Sequence, residues 1–255
     1  MNGQDRVMDS GEFQKRNTTI GDDIYSNLRS YIIELKIRPG EIISIKDIAT
    51  ELNVGRSPVR DALIRLEKEA LITSLPQRGT MISRINLHRV TEERYIRTCL
   101  EERTTILFLQ KHSQEDIAAL KKCLDDQKES ILCHDCRKLL EYDDNFHKVF
   151  FTATDKQLCW ETLRNASGHY RRVRLLSLLE KTILENIISQ HEEMIQLIID
   201  KNEEQLQKVL EDHLTKIDKE ELDLANRYPD LFDQEHQEQR KPSFFLQSDF
   251  LQELE

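Results

Sequence analysis

Asp143 and His147 stand four residues apart in the run DDNFH. On a helix that spacing projects both from one face, with Phe146 beside them toward the core. His191 opens the run HEEMIQLIID and His213 sits within EDHLTKI, two later stretches with helical spacing of apolar residues. Two antiparallel helices can bring residues distant in sequence to one level, so one carboxylate and three imidazoles could converge in a core. Such a donor set suits zinc first, and nickel or manganese as well, with positions left open for water or an oxygen ligand. The alternative is that most of the eight histidines of a helical protein are exposed or singly hydrogen-bonded.

Arginines form the second set. In VGRSPVRDALIRLEKEALI, residues 54–72, Arg56, Arg60 and Arg65 fall outside the apolar stripe of Val59, Leu63, Leu66 and Ala70. Ser57 is a candidate N-cap and Pro58 suits the first helical position. An arginine near a helix N-terminus can pair bidentately with guanine or clamp a phosphate, and free backbone N–H groups there favour phosphate too. Alone, the set could equally be a solvated basic face.

The flanking elements decide between these. Ser44 and Asp47 form a capping pair opening SIKDIATELNV, whose Ile45, Ile48, Ala49 and Leu52 recur at helical spacing, and Asn53, Val54 and Gly55 make a tight turn into the arginine helix. Residues 71–75 and 80–85 read as two strands joined by Pro76, Gln77, Arg78 and Gly79, a wing with a basic tip. Upstream, Ile24, Leu28, Tyr31, Ile32 and Leu35 mark a first helix over 20–35, ended by Arg38-Pro39-Gly40. Residues 20–85 therefore spell a winged helix-turn-helix, the arrangement that presents a recognition helix to the major groove.

Beyond it, residues 87–227 contain no proline and one glycine, Gly168. Helical spacing divides the stretch into 87–111, 113–128, 135–152, 155–180, 182–200 and 203–226. Short connections imply antiparallel neighbours, so the expected fold is mainly α, with an N-terminal winged helix-turn-helix and a C-terminal all-α antiparallel bundle. A polar arm, 1–19, expected to be disordered, and an extension, 228–255, with Phe244, Phe245, Leu246, Phe250 and Leu251 in a short amphipathic segment, complete the chain.

The run LKIRPGEIISIKDIATELNVGRSPVRDALIRLEKEALITSLPQRGTMIS resembles the DNA-binding domain of the GntR family of bacterial transcription regulators. That resemblance implies DNA contacts at Lys46, Gly55, Arg56, Ser57, Pro58, Arg60, Arg78 and Gly79. Arg56 and Arg60 would read or flank bases in the major groove, Lys46 and Ser57 would hold phosphate, and Arg78 and Gly79 would enter the minor groove. DDNFH with the two later histidines, and RTCLEER with Arg97 and Glu101, is similar to the FCD effector domain of the FadR subfamily. The resemblance implies Asp143, His147, His191 and His213 as ligands of a divalent metal, and Arg97 facing a ligand cavity. Further effector contacts are expected from His169, Arg171 and Arg172, with Arg164 and Arg174 also in the run LRNASGHYRRVRLL. A metal in a buried cavity suits capture of a small carboxylate, a sugar acid or organic acid.

Charge is consistent with this division. The chain of 255 residues carries net charge −10, but residues 1–84 hold 13 Lys+Arg against 12 Asp+Glu while the remainder holds 24 against 35. Acidity outside the first domain leaves a local basic surface available to DNA. Five cysteines, odd in number, fit reduced thiols, and Cys133-His134-Asp135-Cys136 lacks the second cysteine pair of a closed zinc site. No apolar run spans a membrane and no signal-peptide pattern is present, so a cytoplasmic protein without membrane contact is expected. The sequence thus predicts a homodimeric, ligand-responsive repressor of double-stranded operator DNA and no enzyme. The rivals are a metal-sensing regulator without an organic effector and a metal-dependent enzyme.

Overall fold

A computed structural model describes residues 19–215 and 217–233. The expected N-terminal arm up to residue 18 and the amphipathic segment near the C-terminus lie outside the described residues. Among the described residues the fold is mainly α, with one three-stranded antiparallel sheet of order β1-β3-β2.

The first helix, α1 (Ile20–Ile33), opens on a capping box between Thr19 and Asp22. It ends where Leu35 takes a left-handed φ of 52°. α2 (Ile45–Glu51) is capped as expected, Ser44 accepting from the Asp47 N–H. Asn53, at φ 49°, then reverses the chain while the Val54 N–H bonds back to the Ala49 carbonyl. That tight return lets α3 (Arg56–Lys68) start at once, so its N-cap is Gly55 in extended conformation, and the expected cap, Ser57, already lies in the first turn. Leu52, expected on the buried stripe, is 39% exposed.

The wing consists of β2 (Ile72–Leu75) and β3 (Gly79–Ile82), paired from Ile72 with Ile82 to Leu75 with Gly79. A two-residue strand, β1 (Ile42–Ile43), too short to leave a sequence pattern, pairs with β3 on its other side. Gly79 has φ 113°, and an added Cβ would stand 2.8 Å from the Ile43 carbonyl oxygen, so the tip needs glycine. The second strand stops before the expected residue 85. Ser83 turns toward the helical region and Ile85 pairs in parallel with Phe232. Ile32, Ile48, Val59, Leu66, Leu71 and Ile82 close the core of this part.

The helical region contains α4 (Leu87–Lys111), α5 (Gln114–Leu132), α6 (Cys136–Ala153), α7 (Gln157–Ala166), α8 (Gly168–Ser177), α9 (Lys181–Ile199), α10 (Glu203–Thr215) and α11 (Ile217–Arg227). The single helix expected over 155–180 is therefore two. The break falls at Ser167, and at Gly168, the first residue of α8, an added Cβ would lie 2.6 Å from Leu71 Cδ2 of the winged part. Across the expected 203–226 helix the described residues are helical on both sides of residue 216, which lies outside them. His191 stands well inside α9, which nearly coincides with the expected segment 182–200. Phe108, Phe146, Phe150, Phe151, Met194 and Leu210 pack between α4, α5, α6, α9 and α10. No helix among the described residues is long and apolar enough to cross a membrane.

Candidate functional site

α6, α9 and α10 bring Asp143, His147, His191 and His213 together, with one potential ligand atom from each lying within 4.8 Å of all the others. The first three are buried and His213 is half-buried. The His213 Nε2 atom stands 3.2 Å from His147 Nε2 and 3.4 Å from His191 Nε2, and Asp143 oxygens lie 3.8 and 3.6 Å from those of His147 and His191.

The opposite ring nitrogens explain the orientation. His191 Nδ1 is 2.8 Å from Gln127 Oε1, and the Gln127 amide is fixed because its Nε2 donates to the Tyr142 carbonyl. His213 Nδ1 is 3.1 Å from Gln190 Oε1. His147 Nδ1 approaches Glu101 Oε2 at 2.9 Å, off the ideal hydrogen-bond direction, and neither atom has another hydrogen-bond partner. Each Nδ1 therefore faces an oxygen acceptor, which suits the tautomer with the proton on Nδ1, and the three Nε2 atoms and a carboxylate oxygen face one another. Burial pushes His191 down to about 3 although Asp143 opposes it, and burial holds His213 well below its ordinary value. Burial disfavours the Asp143 anion, but the Arg174 guanidinium leads the charges that hold its carboxyl well below the usual range. Glu101, opposed by burial, is held down to about 2 chiefly by Arg97. Imidazole nitrogens beside a carboxylate are donor types that divalent metals take, and orienting groups on the far nitrogens are what metal-ligating histidines ordinarily have.

A small cavity adjoins the cluster, with Arg97, Asp143, Tyr170, Arg174, Gln190 and His213 on its polar side and Ile183, Ile187 and Leu214 among its apolar residues. Arg97 Nε donates to Glu101 Oε1 at 2.7 Å, and Arg174 pairs with Asp143 and, at 2.8 Å, with Asp144. Both guanidinium carbons lie 5.8 Å from the Tyr170 ring centre.

The other expected effector residues are not on this cavity. Arg171 lines a separate cleft with residues of α6 and α7 and pairs with Asp144, which Arg174 shares. Arg172 Nη1 donates to the Ser83 carbonyl at 2.6 Å, and its Nη2 lies 3.1 Å from His169 Nδ1. His169 Nδ1 also accepts from the Asn86 N–H at 3.0 Å, so its Nε2 donates to the Ala70 carbonyl at 3.1 Å. Burial and the Arg172 charge push His169 down to about 3. Glu93 completes this seam by accepting from the His169 and Tyr170 N–H groups at 2.8 Å each, where the first turn of α8 leaves donors unpaired. Helical periodicity alone does not say which side of α8 meets the cavity and which meets the wing.

On the winged part, Lys46, Gly55, Arg56, Ser57, Arg60 and Arg78 are exposed, and Pro58 and Gly79 are half-buried. α3 has no side-chain cap, so no cap side chain occupies its first backbone N–H groups. Arg65 is held back on α1, bonding Asp22 at 2.7 Å with its guanidinium 3.7 Å from the Tyr25 ring centre.

Family models match two stretches: that of the bacterial regulatory proteins, gntR family, over residues 20–82, and that of the FCD domain over 95–216. The gluconate operon transcriptional repressor of Bacillus subtilis (strain 168) is 30% identical over 176 residues, 66% of this chain and 71% of that one. The chain belongs to the GntR family. It is a DNA-binding transcriptional regulator with an FCD domain. The HTH-type transcriptional repressor RspR of Escherichia coli (strain K12) is 27% identical over 216 residues, 85% of this chain and 95% of that one. Among solved structures, E. coli McbR/YncC shares the GntR fold at a TM-score of 0.67 with 17% identity, covering 83% of this chain and 99% of that chain. These relatives are named as regulators, not enzymes.

The partners of the three Nδ1 atoms were missed from sequence. Gln127 and Gln190 are glutamines on helices, which carry no signal until packing places them. Glu101 was noticed only for its position in RTCLEER, although its spacing of four from Arg97 could have suggested the buried ion pair.

Proposed function

We propose that this regulator is a homodimeric repressor whose hold on operator DNA is set by a divalent metal and a small carboxylate bound in its FCD domain. The observation that carries this reading is the meeting of three Nε2 lone pairs with an Asp143 oxygen, an array that repels itself without a cation at its centre. Asp143, His147, His191 and His213 would hold the ion, zinc by preference of the donor set, with nickel or manganese as alternatives. The ion supplies positive charge and open coordination to an incoming oxygen. Arg97 and Arg174, buried at the cavity wall, are placed to pair with a carboxylate. A relative named for the gluconate operon fits a sugar acid as that ligand.

In the same reading residues 20–85 bind DNA through Lys46, Gly55, Arg56, Ser57, Pro58, Arg60, Arg78 and Gly79, and residues 87–227 bind effector and dimerise. The exposure of Arg56 and Arg60 at the start of α3 supports major-groove reading, and dimerisation suits two-fold operators. Work on chromosomal DNA places the protein in the cytoplasm. Operator affinity measured by fluorescence anisotropy with chelator, with metal, and with metal plus sugar acids or dicarboxylates tests the reading. Weakening only when metal and one acid are both present is the expected result. A full response to metal alone would instead assign a metal sensor.

A further inference from the structure

On the wall of the small cavity beside the histidines, Arg97 and Arg174 account for a carboxylate and Asp143 and His213 for a metal, and two polar side chains remain, Tyr170 and Gln190. Both belong to helices that already hold other members of the site. Tyr170 stands one turn before Arg174 on α8, its ring centre 5.8 Å from the guanidinium carbons of Arg97 and Arg174. Gln190 directly precedes His191 on α9 and meets His213 Nδ1 through Oε1 at 3.1 Å.

Each has a polar atom to spare. Tyr170 is 2% exposed, and its hydroxyl has no hydrogen-bond partner among the described residues. Protein atoms do not seal that oxygen either, so it opens on the cavity. A hydroxyl kept in so buried a place without a protein partner calls for water or a ligand to satisfy it. Burial raises its pKa against the opposing charges of Arg97 and Arg174, so the group keeps its proton and can donate as well as accept. On Gln190, the carbonyl oxygen turned to His213 leaves the amide nitrogen, whose two N–H donors have no partner among the described residues.

These groups do not duplicate the arginines. Guanidinium forks match a carboxylate, whereas a neutral hydroxyl and a primary amide match a neutral oxygen that both accepts and donates. In a cavity of about 40 Å³ that oxygen has to lie close to the carboxylate, on the neighbouring carbon. We propose that Tyr170 and Gln190 read a hydroxyl next to the carboxylate, so that the cavity selects 2-hydroxy acids over the corresponding plain acids. This rests on the metal-and-carboxylate reading of the same cavity and narrows it, since a sugar acid and a two-carbon hydroxy acid share that group. A hydroxyl oxygen beside a bound metal favours the hydroxy acid by itself, so the role of the two side chains is read from how the preference changes in variants.

Calorimetric titration of the zinc-loaded full chain, freed of excess zinc, with glycolate against acetate and gluconate against 2-deoxygluconate tests the proposal. In wild type the hydroxy acid of at least one pair should bind about tenfold or more tighter than its partner. Tyr170→Phe keeps the ring and removes only the oxygen, and that ratio should fall about fivefold or more. Gln190→Glu keeps an acceptor for His213 Nδ1 and removes the N–H donors, and should lower the ratio too, with wild-type zinc content in both variants. An unchanged ratio in either variant, or equal affinities within both wild-type pairs, would overturn the proposal and leave the carboxylate reading standing. A ratio that falls only together with zinc content would overturn it by assigning the residue to the metal cluster. Absence of binding by all four acids would overturn both the proposal and the carboxylate reading.

Discussion

Two buried polar clusters flank α8, and they share residue types while differing in how donors meet acceptors. In the seam toward the wing, Arg172 meets the Ser83 carbonyl, His169 meets the Ala70 carbonyl and the Asn86 N–H, and Glu93 meets two N–H groups. Donors there face acceptors, and the cluster is complete as it stands. On the other side, His147, His191 and His213 turn their Nε2 atoms toward one another and toward the Asp143 carboxylate. Burial of polar groups is tolerated when they are paired and costly when they are not. The same residue types thus form a structural joint on one side of the helix and, on the other, the set of ligand atoms on which the proposed metal site rests.

Chelation should break the comparison most strongly. A metal at about a thousand times its Kd adds about 4 kcal/mol to stability, so a chelator should lower the thermal midpoint by roughly 10 °C. Seam variants should show the same chelator response as wild type. A fall of similar size in His147→Ala would show that the chelator acts elsewhere.

Arg172→Met comes next. It removes the donor to the Ser83 carbonyl and one of the two donors to His169 Nδ1, and should cost about 2–3 kcal/mol, measured by denaturant unfolding. Metal content should not change. Gly168→Ala should cost roughly 1–3 kcal/mol by overpacking, because its Cβ would meet Leu71 Cδ2 at 2.6 Å. Much of that loss should vanish in a Leu71→Ala background, and strict additivity of the two changes would refute the contact.

The smallest effect, taken per pH unit, is the pH dependence of the seam. His169 sits at about 3 in the fold against an ordinary 6.5. Between these values the unfolded chain binds a proton that the folded chain does not, so stability is complete above about pH 6.5 and is lost as pH falls, by at most about 1.4 kcal/mol per unit. His169→Gln should make the slope shallower by one proton in that window. An unchanged slope would show that His169 does not carry it.

Local signals carried much of this architecture. The Ser44 cap, the Asn53 turn and the stripe of Val59, Leu63 and Leu66 place α2 and α3 without tertiary information, because capping and periodicity act within a few residues. The i, i+4 pair Asp143 and His147 was readable for the same reason. His191 was readable as a mid-helix position too, since the expected segment 182–200 nearly coincides with α9. The division of α8 was not readable. Arg171, Arg172 and Arg174 are all buried, and which one meets the wing or the cavity depends on where α8 starts, at Gly168 packed against Leu71 from another part of the chain.

The central claim is that the converging Nε2 atoms hold an ion, and the metal-to-protein ratio by inductively coupled plasma mass spectrometry tests it most directly. Wild type purified without chelator should carry one divalent ion per chain, and so should Arg172→Met, while His213→Ala should carry almost none. Equal metal content in wild type and His213→Ala, or none in either after incubation with zinc, nickel or manganese, would contradict the account.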